Sequence, residues 1–172
     1  MMVLVIGPNG SGKSKYAECL ASYLCTGELY YVATLLPHGD EGAARVERHR
    51  VQRDGKGFET VESPYGTVET TRRDTVLLED MSNLIANLMF EKGSNRAGDM
   101  ALNRVISLQN DCANLICVSI SGLKVGDGSD EETRDYITTL QQVNDMLFER
   151  ADAVVELMCG TPVLRKGSLS CV

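Results

Sequence analysis

The sequence predicts an α/β protein of three layers, with a mostly parallel sheet between two helical layers and a hairpin near its C-terminal end. Three observations predict it. Short, near-continuous apolar runs alternate with longer segments whose apolar residues recur at helical spacing, the pattern of strands covered on both faces. The first run, Met2–Val3–Leu4–Val5–Ile6, leads directly into GPNGSGKS at residues 7–14 and then into a helical stretch. The last run, Ala153–Met158, is followed across Gly160–Thr161 by Pro162–Leu164, which reads as a returning strand.

The elements follow in order. Met2–Ile6 is a buried strand bounded by glycine, and Lys13 to Cys25 is a helix with Ala17, Leu20, Ala21 and Leu24 on one face. Leu29–Thr34 is a second strand, and 36–42 a loop containing Pro37, Gly39 and Gly42. The spacing predicts a helix over 41–53, a short strand over Phe58–Glu62 and a strong one over Thr75–Glu79. Helices are expected over Asn83–Glu91 and Met100–Gln109, a buried strand over Leu115–Ser121 and a glycine-rich loop over Gly122–Asp130. The longest helix is expected over Glu131–Glu149, with Tyr136, Leu140, Val143 and Leu147 at helical spacing.

The 172 residues fit a single domain, residues 1–172, large enough to bury a core. No repeat, linker or low-complexity tract divides them. An apolar fraction of 43% and a charged fraction of 24% are ordinary for a globular protein. No apolar run approaches the ~20 residues that span a bilayer, so no membrane span is expected. The short first run is unlike a secretory leader, and the expected location is the cytoplasm. The six cysteines form no C-x-x-C pair, and with two histidines no zinc pattern arises. Most are expected to be buried, with Cys171 a free thiol. A net charge of −7 argues against nucleic acid as a partner.

GPNGSGKS fits G-x-x-x-x-G-K-[ST] in the one context where that motif has a mechanism, between a strand and a helix. The backbone of Gly7, Pro8, Asn9, Gly10, Ser11, Gly12, Lys13 and Ser14 forms the turn whose N–H groups, from every residue except Pro8, surround phosphate oxygens. Gly7 and Gly12 allow the tight backbone. Lys13 reaches the β/γ phosphates, the Ser14 hydroxyl is a Mg²⁺ ligand, and the helix offers its positive end. The fold class is therefore a P-loop NTPase-like α/β fold. Such a site needs a carboxylate at the end of another strand. Glu79 ends the run Thr75–Val–Leu–Leu–Glu and is the expected metal residue, while Asp80 suits a helix N-cap.

The segment RVERHR, residues 45–50, holds a second feature. On a helix, Arg45, His49 and Arg53 share one face, and Arg48, Arg50 and Lys56 add positive charge. Nearby cations disfavour imidazolium, which would leave His49 a neutral base or nucleophile. Spacing alone favours a solvated face with an ordinary histidine. His38, among turn residues, reads as structural.

These stretches together resemble the bifunctional adenosylcobinamide kinase/adenosylcobinamide-phosphate guanylyltransferases of cobalamin biosynthesis. GPNGSGKS, YVAT at 31–34, AARVERHR at 43–50, FETVE at 58–62 and LLEDMSNLIANLMF at 77–90 occur in the family's order, and residues 133–160 look like its closing helix and strand. The resemblance implies a kinase that phosphorylates adenosylcobinamide from ATP or GTP. It also implies a nucleotidyltransferase that passes GMP from GTP to adenosylcobinamide phosphate through a guanylylated histidine. By position His49 matches that histidine. Arg50, Val51, Gln52 and Arg53, with Glu62, match its nucleotide-binding stretch; Ala33, Thr34 and Leu35 match another, and Glu79 the strand-end carboxylate. Lys13 and His49 are then the catalytic residues, Ser14 and Glu79 the metal residues, Mg²⁺ the cofactor, and a homotrimer the expected assembly.

The sequence also departs from the family pattern. Pro8–Asn9–Gly10 stands where relatives usually carry a glycine and an arginine, Phe58 replaces a tryptophan, and Glu59 an arginine. Residues 120–124, Ile–Ser–Gly–Leu–Lys, replace an Asn-Glu-Val-Gly segment and carry no carboxylate. Two alternatives follow from these departures: a degenerate nucleotide-binding relative, or a P-loop kinase for another small alcohol.

Overall fold

The computed structural model describes residues 1–37 and 55–169. The expected helix over 41–53, with His49 and its arginines, lies outside the described residues, as do His38 and Cys171.

Among the described residues seven strands form one sheet: β1 (Met2–Gly7), β2 (Leu29–Ala33), β3 (Glu59–Glu62), β4 (Thr75–Glu79), β5 (Asn114–Ile120), β6 (Ala153–Met158) and β7 (Thr161–Lys166). Their spatial order is β3-β2-β4-β5-β1-β6-β7. All neighbours pair parallel except β6 and β7, which form the antiparallel hairpin. β5 separates β1 from β4, pairing Met2 with Leu115 and Thr75 with Asn114. The carboxyl ends of β1 and β4 thus open at the same edge, where ligands bind in such sheets.

The strands carry little alternation because both faces are covered. Val3, Val5, Leu77, Ile116 and Val118 face α1 (Lys13–Leu24), which buries Ala17, Leu20 and Ala21. Met2, Leu4, Leu78, Leu115 and Cys117 face the opposite layer. That layer comprises α2 (Met81–Ala86), α3 (Ala97–Asp111) and α4 (Glu131–Arg150). α4 starts where Asp130 accepts the Thr133 N–H at 2.7 Å, with Glu131 and Glu132 in its first turn and Arg150 in its last.

Three expectations change in detail. The helix expected over Asn83–Glu91 begins earlier, at Met81, because Asp80 caps it, and at Asn87–Glu91 it widens into a π-helical turn. There the Asn87 side-chain amide leaves the helix axis to donate to the Thr34 and Pro64 carbonyls, each at 2.8 Å. On α4 the buried residues are Ile137, Leu140, Val143 and Leu147; Tyr136 shares the face of Leu140, Val143 and Leu147 and packs against the same core, but near the start of the helix it is only half-buried. Among the described residues most cysteines are not buried: Cys112 and Cys117 are, Cys25 is half-buried, and Cys19 and Cys159 are exposed. The two exposed thiols fall on outward-facing positions of α1 and of the β6–β7 turn.

Candidate active site

The phosphate loop takes its shape from two glycines. A β-carbon on Gly7 would meet the Leu157 carbonyl oxygen at 2.6 Å, so β1 could not approach β6 there with any larger residue. Gly12, with φ of +88°, turns the chain through the left-handed region into α1. Lys13 is 7% exposed, and its Nζ folds back to donate to the Pro8 carbonyl at 3.0 Å. Burial lowers its pKa, against the opposing pull of the Asp80 and Glu79 carboxylates.

At the end of β4, the Ser14 hydroxyl donates to Glu79 Oε1 at 2.5 Å. Sixty-five residues apart in sequence, the two residues expected to share a metal ion are in direct contact. Glu79 Oε2 is buried and has no hydrogen-bond partner. Burial first, and then the neighbouring charge of Asp80, push the Glu79 carboxyl up to about 8, although Ser14 and Lys13 act the other way. Asp80 does what its position implied: its Oδ1 accepts the Asn83 N–H at 2.8 Å and the Ser82 hydroxyl at 2.6 Å. The Glu79–Asp80 peptide is cis.

The donors near Ser14 are oxygens, one hydroxyl and carboxylates, which suit the hard Mg²⁺ ion. Among the described residues no group of three His, Cys, Asp or Glu forms a protein-only metal cage. A Mg²⁺ ion completed by phosphate oxygens and water needs no such cage, and the orphaned Glu79 oxygen is the kind of acceptor it would satisfy.

A cleft of about 820 Å³ lies over the carboxyl edge of the sheet. Residues 9–15 form its floor, and it has two walls. One rises on the α1 side, from Tyr31, Ala33, Leu35, Lys56 and Glu62; the other rises on the α2–α4 side, from Asp80, Ser82, Asn83, Ile120 and Tyr136. Of the residues expected to bind nucleotide, Asn9, Gly10, Ser11, Gly12, Lys13, Ser14, Ala33, Leu35, Glu62 and Glu79 all line it. Gly7 and Pro8 shape the loop from beneath. Thr34 does not face the cleft. It is fully buried, and its hydroxyl accepts the Asp80 N–H at 2.8 Å while donating into the Glu79 and Asp80 carbonyls, each at 2.9 Å. Thr34 therefore fixes the end of β2 to the end of β4. Arg50, Val51, Gln52 and Arg53, like His49, lie outside the described residues.

Sequence reasoning missed the second wall. In sequence, Ser82 and Asn83 belong only to the stretch LLEDMSNLIANLMF, with no role of their own, and Tyr136 only to the helical spacing of Glu131–Glu149. The available signal was the place of Tyr136 near the start of α4, where the helix face reaches the carboxyl edge of the sheet.

The model of the cobinamide kinase / cobinamide phosphate guanyltransferase family (CobU) matches residues 3–164. The chain belongs to this family. It is an enzyme, of the bifunctional adenosylcobinamide kinase/guanylyltransferase kind that serves cobalamin biosynthesis. Comparison with curated proteins gives no match. Among solved structures, the chain resembles an ATPase from the type III secretion system of pathogenic bacteria, at 10% identity and a TM-score of 0.52. That likeness covers 99% of this chain and 59% of the other. It is also similar to the flagellar accessory protein FlaH from Methanocaldococcus jannaschii, at 14% identity over 97% of this chain and 78% of that one, with a TM-score of 0.46. At these identities the likeness to the secretion ATPase shows the P-loop α/β fold alone. Among the described residues, no helix is long and apolar enough to cross a membrane.

Proposed function

We propose that this CobU-family protein phosphorylates the alcohol arm of adenosylcobinamide and then transfers GMP from GTP to the resulting phosphate by way of a guanylylated His49. The observation that carries the kinase step is the Ser14–Glu79 contact at 2.5 Å beside buried Lys13, on the floor of one cleft. The acceptor hydroxyl attacks the terminal phosphorus, the bond to the bridging oxygen breaks, and the nucleoside diphosphate leaves. Phosphoryl transfer of this kind relies on positioning and charge stabilisation. Lys13 leaves the Pro8 carbonyl for the phosphates, and the loop N–H groups hold their oxygens. Ser14 and Glu79 would hold Mg²⁺, which when bound neutralises phosphate charge.

The guanylyl step rests on the sequence of residues 45–53. A neutral nitrogen of His49 attacks the α-phosphorus of GTP and forms a P–N bond, and pyrophosphate leaves. The phosphate oxygen of the acceptor then displaces histidine, which returns to its neutral form. Arg45, Arg48, Arg50 and Arg53 keep the imidazole uncharged and hold the triphosphate. Ala33, Leu35 and Glu62, on the α1-side wall, face the same cleft. We further propose a cytoplasmic homotrimer, on family resemblance.

The test uses GTP labelled at the α-phosphate. Acid-labile, base-stable label on the wild-type protein, absent from His49→Asn, is the expected result. No label on the wild type, with γ-phosphate still reaching adenosylcobinamide, would reduce the protein to a kinase. Transfer to a different alcohol in its place would overturn the acceptor.

A further inference from the structure

The cleft has a wall to which no nucleotide role is matched. The α1-side wall carries the residues matched to nucleotide, whereas Ser82, Asn83, Ile120 and Tyr136 on the α2–α4 side are unassigned. Tyr136 lines this wall. Its hydroxyl donates to the Ser82 carbonyl at 3.3 Å, which fixes the ring. Just beyond it stands Phe90, whose ring centroid is 6.2 Å from that of Tyr136 with the planes tilted by 44°. Phe90 is 51% exposed, although it lies in a segment where Leu84, Ile85 and Leu88 are buried. It sits on the π-helical turn Asn87–Glu91, and such turns are frequent at functional sites.

We propose that the Phe90–Tyr136 pair is the docking shelf for the macrocycle of the acceptor, with the Asn83 side chain meeting its amide fringe. The inference rests on the kinase reading above. A cleft of about 820 Å³ lies within the roughly 300–1,000 Å³ that serves one drug-sized ligand. With a nucleoside triphosphate on its floor, the cleft leaves room for the alcohol arm but not for a corrin-sized ring as well, and that ring would rest at its mouth. The acceptor has to approach Lys13 and Glu79 from the side the nucleotide leaves open, and the aromatic shelf is continuous with that side. A flat apolar pair offers large contact area at low entropic cost, and the half-buried Asn83 side chain beside it supplies amide-matching polarity.

The experiment measures adenosylcobinamide binding by equilibrium dialysis, with KM values for acceptor and nucleotide in the kinase assay, for wild type, Phe90→Ala and Phe90→Trp. Phe90→Ala should raise the acceptor Kd and KM by several-fold to about tenfold. Its nucleotide KM should move less than about twofold, and Phe90→Trp should restore acceptor binding. Phe90 is half exposed, so neither variant is expected to unfold. Unchanged acceptor affinity in Phe90→Ala overturns the shelf while leaving the kinase reading intact. A change of oligomeric state in that variant by light scattering, with acceptor affinity lost only in the dissociated form, also overturns it and assigns Phe90 to a subunit contact. If wild type neither binds nor phosphorylates adenosylcobinamide, the kinase reading and the shelf fall together.

Discussion

The two ends of β4 hold two carboxylates in opposite conditions. Asp74, just before the strand, is 4% exposed and fully engaged. It accepts from the Thr71 N–H at 2.6 Å, the Thr71 hydroxyl at 3.0 Å and the Glu28 N–H at 3.2 Å. Burial alone would raise its pKa, but these hydrogen bonds overcome burial and hold it below the usual carboxylate value. Glu79, five residues on, has one oxygen against Ser14 and the other buried with no partner, and its pKa rises to about 8. Asp74 closes the amino end of the sheet. Glu79 stands ready for a ligand from outside the chain. Unmet hydrogen-bonding capacity in a buried group distinguishes a site from a structural clasp.

The sharpest way to test that contrast is to remove the cation of the functional end. Lys13→Ala should reduce phosphoryl transfer by about 10²–10³-fold, with thermal stability close to wild type; an unchanged kcat would mean the cleft floor is not the transfer site. At the structural end the signs reverse. Asp74→Asn should cost about 1.5–3 kcal/mol of stability and leave kcat of the folded fraction untouched, as denaturant unfolding and a kinase assay would show. Because the folded pKa of Asp74 is depressed, its contribution is present above the ordinary value of 3.8 and lost as pH falls through the lower folded value. The stability gap between wild type and Asp74→Asn should therefore close in strong acid.

Glu79→Gln should do the opposite in magnesium-free buffer. Its raised carboxyl contributes stability below the unfolded value of 4.5, and that contribution is lost as pH rises towards about 8. Relative to wild type the variant should gain about 1–3 kcal/mol at pH 8 and nothing near pH 4, while losing kinase activity. A Tm difference independent of pH would remove the distinction between the two ends. The smallest effect belongs to a third carboxylate, Glu18 at the rim, which pairs with Lys56 at 2.6 Å. Glu18→Gln should change stability by less than about 1 kcal/mol, measured as a Tm shift of a few degrees at most.

The sequence by itself determined the strand and helix order, the parallel sheet with its closing hairpin, and the cradle at residues 7–14. Each of these is encoded locally, by continuous apolar runs, helical spacing and a glycine-lysine-serine motif whose chemistry depends on neighbours in the chain. It also made Asp80 legible as a cap and Glu79 as a strand-end acid. Only the tertiary structure decided that Ser14 touches Glu79, that Thr34 is a clasp facing the core, and that Asn87 widens its helix to reach two distant carbonyls. It alone brought Tyr136, at the head of the α4 stripe, against Phe90 and so gave the cleft its second wall. Those outcomes depend on pairs of residues far apart in sequence, and a period of 3.6 or 2 residues carries no record of which distant surface a side chain will meet.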